Sequence, residues 1–166
     1  PPSRYPDHIK TMDYTDNFIG HPFLASRLYW DEIPKTTGAL DADNVLMIMP
    51  GPLTGTQAIG CSRWVITAKS PHSYPDQYGF GNGGGFFGAA LKRAGFDGLI
   101  INGKASQLSY ILIENHKAVL KDAKGLRGLE TEATMTKLRE QHGDDARIVC
   151  IGPAGEKLVR FALART

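Results

Sequence analysis

Apolar residues recur at two different spacings along the chain, and these spacings predict a mixture of helices and strands. Between Phe23 and Ile33 they follow the period of an amphipathic helix, which must end at Pro34 because proline cannot continue the hydrogen-bond ladder. Residues 44–52 form a short apolar run bounded by turn residues, which is typical of a strand buried on both faces. Residues 63–69 are rich in β-branched and aromatic side chains, which favours a second strand.

The rest of the chain continues this mixture. Residues 86–95 predict a helix closed by Gly95, residues 97–104 a strand, and residues 108–123 a hairpin that turns at Glu114, Asn115 and His116. Residues 131–143 have a threonine cap, an early acid, late basic residues and a final glycine, and so predict a helix. Residues 146–152 and 158–164 predict two further strands. Strands outnumber helices in mixed order, which indicates an α+β fold rather than a doubly wound sheet.

The composition is that of one globular domain. Hydrophobic residues make up 42% of the 166 residues and charged residues 22%. A folded chain of this length buries roughly 70% of its extended surface, so a true core is expected. Residues 1–17 are Pro-rich and polar without a sustained period and predict an N-terminal arm, which leaves residues 18–166 as the domain.

Charge and cysteine content exclude several classes of function. The formal charge is +2 and the basic residues are scattered, which argues against a nucleic-acid surface. No apolar run approaches the length of about 20 residues that spans a bilayer, so we expect a cytoplasmic protein without a membrane partner. Cys61 and Cys150 are too few and too far apart to hold zinc or an iron-sulfur cluster alone. Two buried thiols are the favoured interpretation, and a disulfide is the alternative.

Glycine is concentrated in one stretch, where it fills six of the ten positions from Gly79 to Gly88 ahead of a helical pattern. Glycine lets a ligand approach main-chain N–H groups, and at a helix start these donors are unpaired. A phosphate cradle is therefore one interpretation, and a tight structural crossover between helix and sheet is the other. The stretch lacks a following Lys-Ser/Thr pair, a clear preceding strand and a later acidic residue, so it matches neither a P-loop nor a dinucleotide site.

Two polar residues near this stretch are candidates for ligand contact. Arg63 can clamp a phosphate or a flat heterocycle, and a surface arginine that opens a strand is the alternative. Asn82 can occupy a left-handed turn or direct its amide at a ligand. The five histidines are dispersed, and no nucleophile lies near a base in the sequence. The residues therefore predict a phosphate-tolerant cradle without reacting groups.

Four blocks of the sequence resemble the N-terminal domain of the tungsten-containing aldehyde ferredoxin oxidoreductases. They are NVLMIMPGPLTGT, SRWVITAKSP, NGGGFFGAALKRAGFDGLIINGKA and IVCIGPAGEKLVRFA. They stand in the order and spacing of the family and cover most of the chain. The resemblance implies a two-layer, β-rich domain with a few helices, which forms a base under tungsten or molybdenum held by two pyranopterin dithiolenes.

The resemblance also implies which residues contact this cofactor. The family's arginine falls on Arg63, and its asparagine and glycine fall on Asn82 and Gly84, with Gly83 and Gly85 as neighbouring backbone candidates. The main-chain carbonyl of Asn82 is implied to help hold a magnesium ion that bridges the two pterin phosphates. The resemblance assigns no catalytic residue to this chain, since the acid/base groups and the cysteines of a [4Fe-4S] cluster lie in later domains of the family.

The implied function is that of the cofactor-binding portion of an oxidoreductase that converts aldehydes to carboxylic acids with ferredoxin as electron acceptor. The expected partners are the remaining domains or subunit of the enzyme, ferredoxin and the aldehyde. We also expect homo-oligomers, because a domain that meets other parts of an enzyme exposes apolar surface. The alternatives are a stand-alone, non-catalytic scaffold or assembly module, and a nucleotide-phosphate-binding enzyme, which the missing Lys-Ser/Thr pair disfavours.

Overall fold

The structure of the protein is a computed structural model that describes residues 21–166. In chain order the elements are helix α1 (His21–Glu32), strands β1 (Leu46–Pro50), β2 (Trp64–Ser70) and β3 (Gln77–Gly83), helix α2 (Phe87–Arg93), strands β4 (Leu99–Ile101), β5 (Ser109–Glu114) and β6 (Lys117–Asp122), a 3-10 turn (Lys124–Leu126), and helices α3 (Thr131–His142) and α4 (Pro153–Glu156). The arm predicted over residues 1–17 lies outside the described residues. No helix within residues 21–166 is long and apolar enough to cross a membrane.

Four antiparallel strands form the main sheet in the order β3-β2-β1-β4. Strand β1 is central and almost fully buried, as its continuous apolar run predicts. On one face of the sheet, α1 packs Leu28 into a cluster with Met47 and Val65. On the other face, Trp64 shares a cluster with Leu91 of α2. The main sheet therefore carries a helix on each face.

The hairpin of β5 and β6 forms a second layer together with α3. Ala123, Leu126 and Leu138 make a separate buried cluster there. Ile113 and Val149 then pack against the cluster of the main sheet that contains Trp64. Two small antiparallel sheets with a few helices are the α+β, β-rich architecture that the sequence predicts, so the predicted fold class is confirmed.

Strand β3 lies at the edge of the main sheet and is tied to α1 through Tyr78. The Tyr78 hydroxyl lies 3.0 Å from the Ser26 hydroxyl. The ring of Tyr78 meets that of Tyr29 edge-on, with the ring centroids 4.8 Å apart. These contacts fix the start of a strand that, among the strands of residues 21–166, has a neighbour on one side only.

Most predicted elements are confirmed, with small shifts at their ends. Helix α1 ends before Pro34, and α2 is followed by Gly95 at φ +90°, whose N–H donates to the Lys92 carbonyl at 3.0 Å. Helix α3 is present, but the predicted threonine cap is wrong, because Thr131 is already helical and the cap position is Glu130.

The two strands predicted near the C-terminus are wrong. Neither segment forms a strand, and the one bridge seen there within residues 21–166 joins Cys150 to Arg165, just beyond the second segment, through hydrogen bonds of 2.8 and 2.9 Å. Between them Pro153 starts the short helix α4, since proline suits the first helical position. Leu158 then takes φ +57°, which turns the chain out of the extended conformation that a ladder needs.

Both cysteines are free and partly exposed, so neither the disulfide nor a pair of fully buried thiols is present. The Sγ of Cys61 lies 3.7 Å from the Ile59 carbonyl in the loop between β1 and β2. Burial raises the pKa of the Cys150 thiol.

Asp76 holds the C-terminal segment to the loop after α1. Its carboxylate accepts a hydrogen bond from the Ala39 N–H at 2.8 Å and pairs with the Arg160 guanidinium at 2.8 Å. The hydrogen bond from Ala39, and after it Arg160, hold the pKa of Asp76 below its ordinary value. A carboxyl group whose pKa is lowered by folding stabilises the fold above its unfolded pKa, and this contribution is lost as the pH falls through the folded pKa.

We expect Asp76→Asn to lower the free energy of unfolding near neutral pH, because an amide cannot form the ion pair with Arg160. The difference in free energy of unfolding between the wild type and Asp76→Asn should shrink below a pH of about 3.9, where the carboxyl of the unfolded wild-type chain is protonated. Urea denaturation of both proteins across this pH range measures the effect. Asp43→Asn, at an exposed position, is the control. A deficit that stays constant into acid would contradict the lowered pKa.

Candidate functional site

The glycine-rich stretch is itself largely a strand, which the sequence analysis did not predict. Glycine fills every second position of β3 from residue 79 onward, and successive strand residues point to opposite faces. The glycines at 79, 81 and 83 lie opposite Ala68, Ile66 and Trp64 of β2. A Cβ at Gly83 would lie 2.1 Å from the Trp64 ring, which leaves no room for a side chain. Packing within the sheet therefore requires glycine at 83 and, because a Cβ would lie 2.5 Å from Ser70, at 79, whereas it leaves limited space at 81.

The residues 84–86, called the glycine turn below, are the open part of the stretch. A Cβ at Gly84 or Gly85 would meet no atom beyond its chain neighbours within 4 Å. Gly85 has φ +71°, a conformation that side-chain-bearing residues rarely adopt. The main chain of the glycine turn is therefore accessible to a ligand, which the glycines of β3 are not.

Arg63 immediately precedes β2, one residue before the pair formed by Trp64 and Gly83. Its carbonyl accepts hydrogen bonds from the Gly51 N–H at 3.1 Å and from the Thr54 hydroxyl at 3.0 Å. Its side chain is exposed, and within residues 21–166 the guanidinium has no hydrogen-bond or ion-pair partner. A fixed backbone with an unpaired cation is an arrangement suited to clamping an anion.

Asn82 lies within β3 rather than in a left-handed turn, so that interpretation is wrong. It pairs with Val65 in the ladder and shares the face of the sheet that Val65 presents to α1. Its side chain is nevertheless exposed, because β3 is the edge strand. The structure thus brings the five predicted residues to one end of the main sheet: Arg63, Asn82, Gly83, Gly84 and Gly85.

The loop between β1 and β2 supports this end of the sheet through Thr54, which is 2% exposed. Its methyl packs against α2 at Gly88, where a Cβ would lie 3.1 Å away. Sequence reasoning missed both Thr54 and Trp64. For Thr54 a signal existed, since hydroxyls in Gly- and Pro-rich loops commonly pair with nearby main-chain groups.

A separate cavity of about 910 Å³ lies between the two layers. Its lining is mainly apolar and includes Ile66, Ile113 and Leu138. None of the five candidate residues lines it. The candidate site is therefore on the open end of the sheet, where a large ligand can approach from outside the domain.

Comparison with known families accounts for nearly the whole chain. Residues 7–166 match the family model described as aldehyde ferredoxin oxidoreductase, N-terminal domain. This chain belongs to that family. All five candidate residues of this aldehyde ferredoxin oxidoreductase N-terminal domain lie inside the matched range.

Curated relatives of this family member are longer proteins. The tungsten-containing aldehyde ferredoxin oxidoreductase of Pyrococcus furiosus is 37% identical over 162 residues, which cover 93% of this chain and 26% of that protein. The tungsten-containing aldehyde ferredoxin oxidoreductase of Thermococcus kodakarensis is 38% identical with the same coverage. The aliphatic sulfonate oxidoreductase, WOR-like subunit, of Pyrococcus furiosus is 31% identical over 178 residues. The chain spans about a quarter of the length of these relatives.

A solved structure has the same fold as this aldehyde ferredoxin oxidoreductase N-terminal domain. It is the active-site complex BamBC of benzoyl coenzyme A reductase in complex with 1,5-dienoyl-CoA. The two superimpose with a TM-score of 0.84 at 32% identity, over 88% of this chain and 22% of the other.

Proposed function

We propose that this chain is the cofactor-binding base of a tungsten- or molybdenum-containing bis-pyranopterin oxidoreductase, which oxidises aldehydes to carboxylic acids and passes electrons to ferredoxin. The observation that carries the proposal is the exposed, unpaired Arg63 guanidinium beside the open backbone of the glycine turn. Two relatives of the family that covers this chain are named tungsten-containing aldehyde ferredoxin oxidoreductases, which supports the choice of metal and substrate.

The described residues fit a large, flat, anionic cofactor. Arg63 supplies a cation, and Gly84 and Gly85 present main chain that no side chain shields. Gly83 continues this backbone into β3, where the exposed Asn82 stands at the sheet edge. When bound, the metal centre supplies the two-electron redox chemistry, and this chain orients the cofactor and offsets part of its negative charge.

For the magnesium ion we propose a main-chain ligand, the carbonyl of Asn82. Among residues 21–166, no three His, Cys, Asp or Glu side chains come together in a group that could hold a metal ion. Hard cations such as magnesium accept carbonyl and phosphate oxygens, so a main-chain oxygen beside bound phosphates is a suitable ligand. We propose that the cysteines of a [4Fe-4S] cluster come from other parts of the enzyme.

The proposed partners are the remaining domains or subunit of the oxidoreductase, with ferredoxin and an aldehyde for the whole enzyme. Apolar side chains are exposed around the candidate site, which supports such an interface: Leu53, Ile59 and Phe86. We propose that the isolated chain, in which this surface is uncovered, forms homo-oligomers through it, and that the enzyme is cytoplasmic.

Metal and pterin analysis of the complete protein from its source cell tests the proposal. We expect about one tungsten or molybdenum and two pterins for each copy of the chain, with iron, and aldehyde-dependent reduction of ferredoxin. A protein with neither metal nor pterin would contradict the proposal and favour the scaffold alternative. One observation favours that alternative already: packing inside the sheet explains the glycines of β3 without a ligand.

A further inference from the structure

The indole of Trp64 packs directly beneath the end of β3. Trp64 is only 3% exposed and stands opposite Gly83 in the ladder. A Cβ at Gly83 would lie 2.1 and 2.2 Å from two ring carbons, so the ring lies against the bare main chain of this residue. An aromatic side chain that covers a glycine on an edge strand stabilises the pairing of that strand.

The indole N–H of Trp64 donates a hydrogen bond to the Gly84 carbonyl at 3.1 Å. The peptide unit is planar and trans, so its C=O and N–H point in opposite directions. With the Gly84 carbonyl directed at the indole, the N–H of Gly85 points away from the sheet. Among residues 21–166 this N–H has no main-chain acceptor.

The other end of the glycine turn is also held. Phe87, the first residue of α2, packs against the Trp64 ring with the centroids 5.1 Å apart. The Arg147 guanidinium lies over the Phe86 ring, 5.3 Å from its centroid. The glycine turn is therefore supported on both sides, and Trp64 contacts both its first residue, Gly84, and the residue that follows it, Phe87.

We infer that Trp64 is a positioning residue, which orients the Gly84–Gly85 peptide so that its N–H donates to an anionic oxygen of the cofactor. The inference rests on the proposed function. It adds the Gly85 N–H as a hydrogen-bond donor beside Arg63. It also gives the indole N–H of Trp64 a role in orienting this peptide, which packing alone would not require. Removing the indole N–H should release the peptide and weaken cofactor binding while the fold remains.

The test uses the complete protein and removes the indole N–H of Trp64 with as little change in side-chain shape as possible. In Trp64→Phe the ring is smaller. In a second variant, β-(3-benzothienyl)alanine at position 64 keeps the bicyclic shape and puts sulfur in place of the N–H. Trp30, which is 70% exposed on α1, receives the same two replacements as a matched control. The measured quantity is bound pterin per folded chain, together with the melting temperature of the cofactor-free protein.

We expect both variants at position 64 to retain about fivefold to tenfold less pterin, the effect of one lost hydrogen bond of ordinary strength. Both variants at Trp30 should match the wild type. The purely structural role predicts a different result, in which the melting temperature falls for Trp64→Phe while pterin per folded chain stays unchanged in the benzothienyl variant. That result would overturn the inference.

A second test displaces the Gly84–Gly85 peptide while Trp64 keeps its indole. Gly83→Ala forces the ring and the main chain apart, whereas Gly81→Ala meets only the Ile66 methyl at 3.3 Å and serves as its control. We expect Gly83→Ala to lose pterin and Gly81→Ala to retain it. If the Trp64 and Gly83 variants keep the cofactor while Arg63→Ala loses it, the positioning role is wrong and the proposed function stands. If Arg63→Ala also keeps it, both are wrong.

Discussion

Arg63→Ala is expected to lower the pterin content of the complete protein by at least about tenfold, because hydrogen bonds to a charged group contribute about 1.5–3 kcal/mol each. The carbonyl of Arg63 is held by Gly51 and Thr54, so the substitution removes the cation without changing its backbone anchor. Arg63→Lys should fall between alanine and wild type, since lysine keeps the charge but not the bidentate fork. The fluorescence of released, oxidised pterin measures the content.

Arg127→Ala, at an exposed arginine just after the 3-10 turn, is the matched control and should retain wild-type pterin. Circular dichroism on each variant normalises the pterin content to folded protein. A wild-type content in Arg63→Ala would show that Arg63 is an ordinary surface residue that opens a strand.

Leu28→Ala should reduce the free energy of unfolding by about 2–5 kcal/mol, the range for large-to-small changes in a packed core. Leu28 is 2% exposed and packs on Met47 and Val65, so its removal leaves a cavity between α1 and the main sheet. Urea denaturation measures the loss. Leu40→Ala, at a side chain that is 49% exposed, should change stability by no more than about 0.5 kcal/mol. Equal effects at the two leucines would contradict the assignment of the core.

The helices and the central strands could be predicted because their signals are local. The apolar period of α1 ends at a proline, and β1 is a continuous apolar run. Strand β3 could not be predicted in this way. Glycine is depleted in strands, and what permits it here is the partner strand, which places the Trp64 ring where a side chain at Gly83 would be.

The strands predicted over residues 146–152 and 158–164 were wrong because local propensity favoured a strand where no partner strand among residues 21–166 pairs with it. Their β-branched and apolar residues favour extended backbone, but a strand also needs a partner along its length. In the part of the chain that the structure describes, these segments have a bridge partner only where Cys150 meets Arg165. Local propensity is the same with or without a ladder, so the sequence pattern alone could not separate the two cases.

Prediction of the candidate site depended on the resemblance more than on spacing. From the residues alone, a surface arginine that opens a strand was the favoured interpretation of Arg63, and the glycines fitted a crossover as well as a cradle. The structure divides the glycines into those that packing requires and the open pair Gly84 and Gly85. The contact of these residues with a cofactor stays a prediction.

The alternation of glycine in β3 also limits how this strand can mispair with β2. A shift by one residue would turn Phe80 and Asn82 onto the face of Ile66 and Trp64, where the glycines now lie. In one direction Asn82 would enter the space of the indole, and in the other Asn82 would meet Ile66 while Gly84 came opposite Trp64. A shift by two residues would meet no such barrier at Trp64, because it would bring up another glycine. Steric exclusion at the indole therefore rejects the one-residue shift that brings up Asn82 and tolerates shifts that bring up a glycine.

The other end of β3 distinguishes the native register from registers shifted by two residues. Only at the native register does Tyr78 bring its hydroxyl to Ser26 and its ring to Tyr29. After a shift by two, Asp76 or Phe80 would stand there, and neither carries a phenol. The packing of α1 on Tyr78 thus determines which glycine of β3 lies next to Arg63. Incorrect packing of α1 would therefore misalign the candidate site at the opposite end of β3.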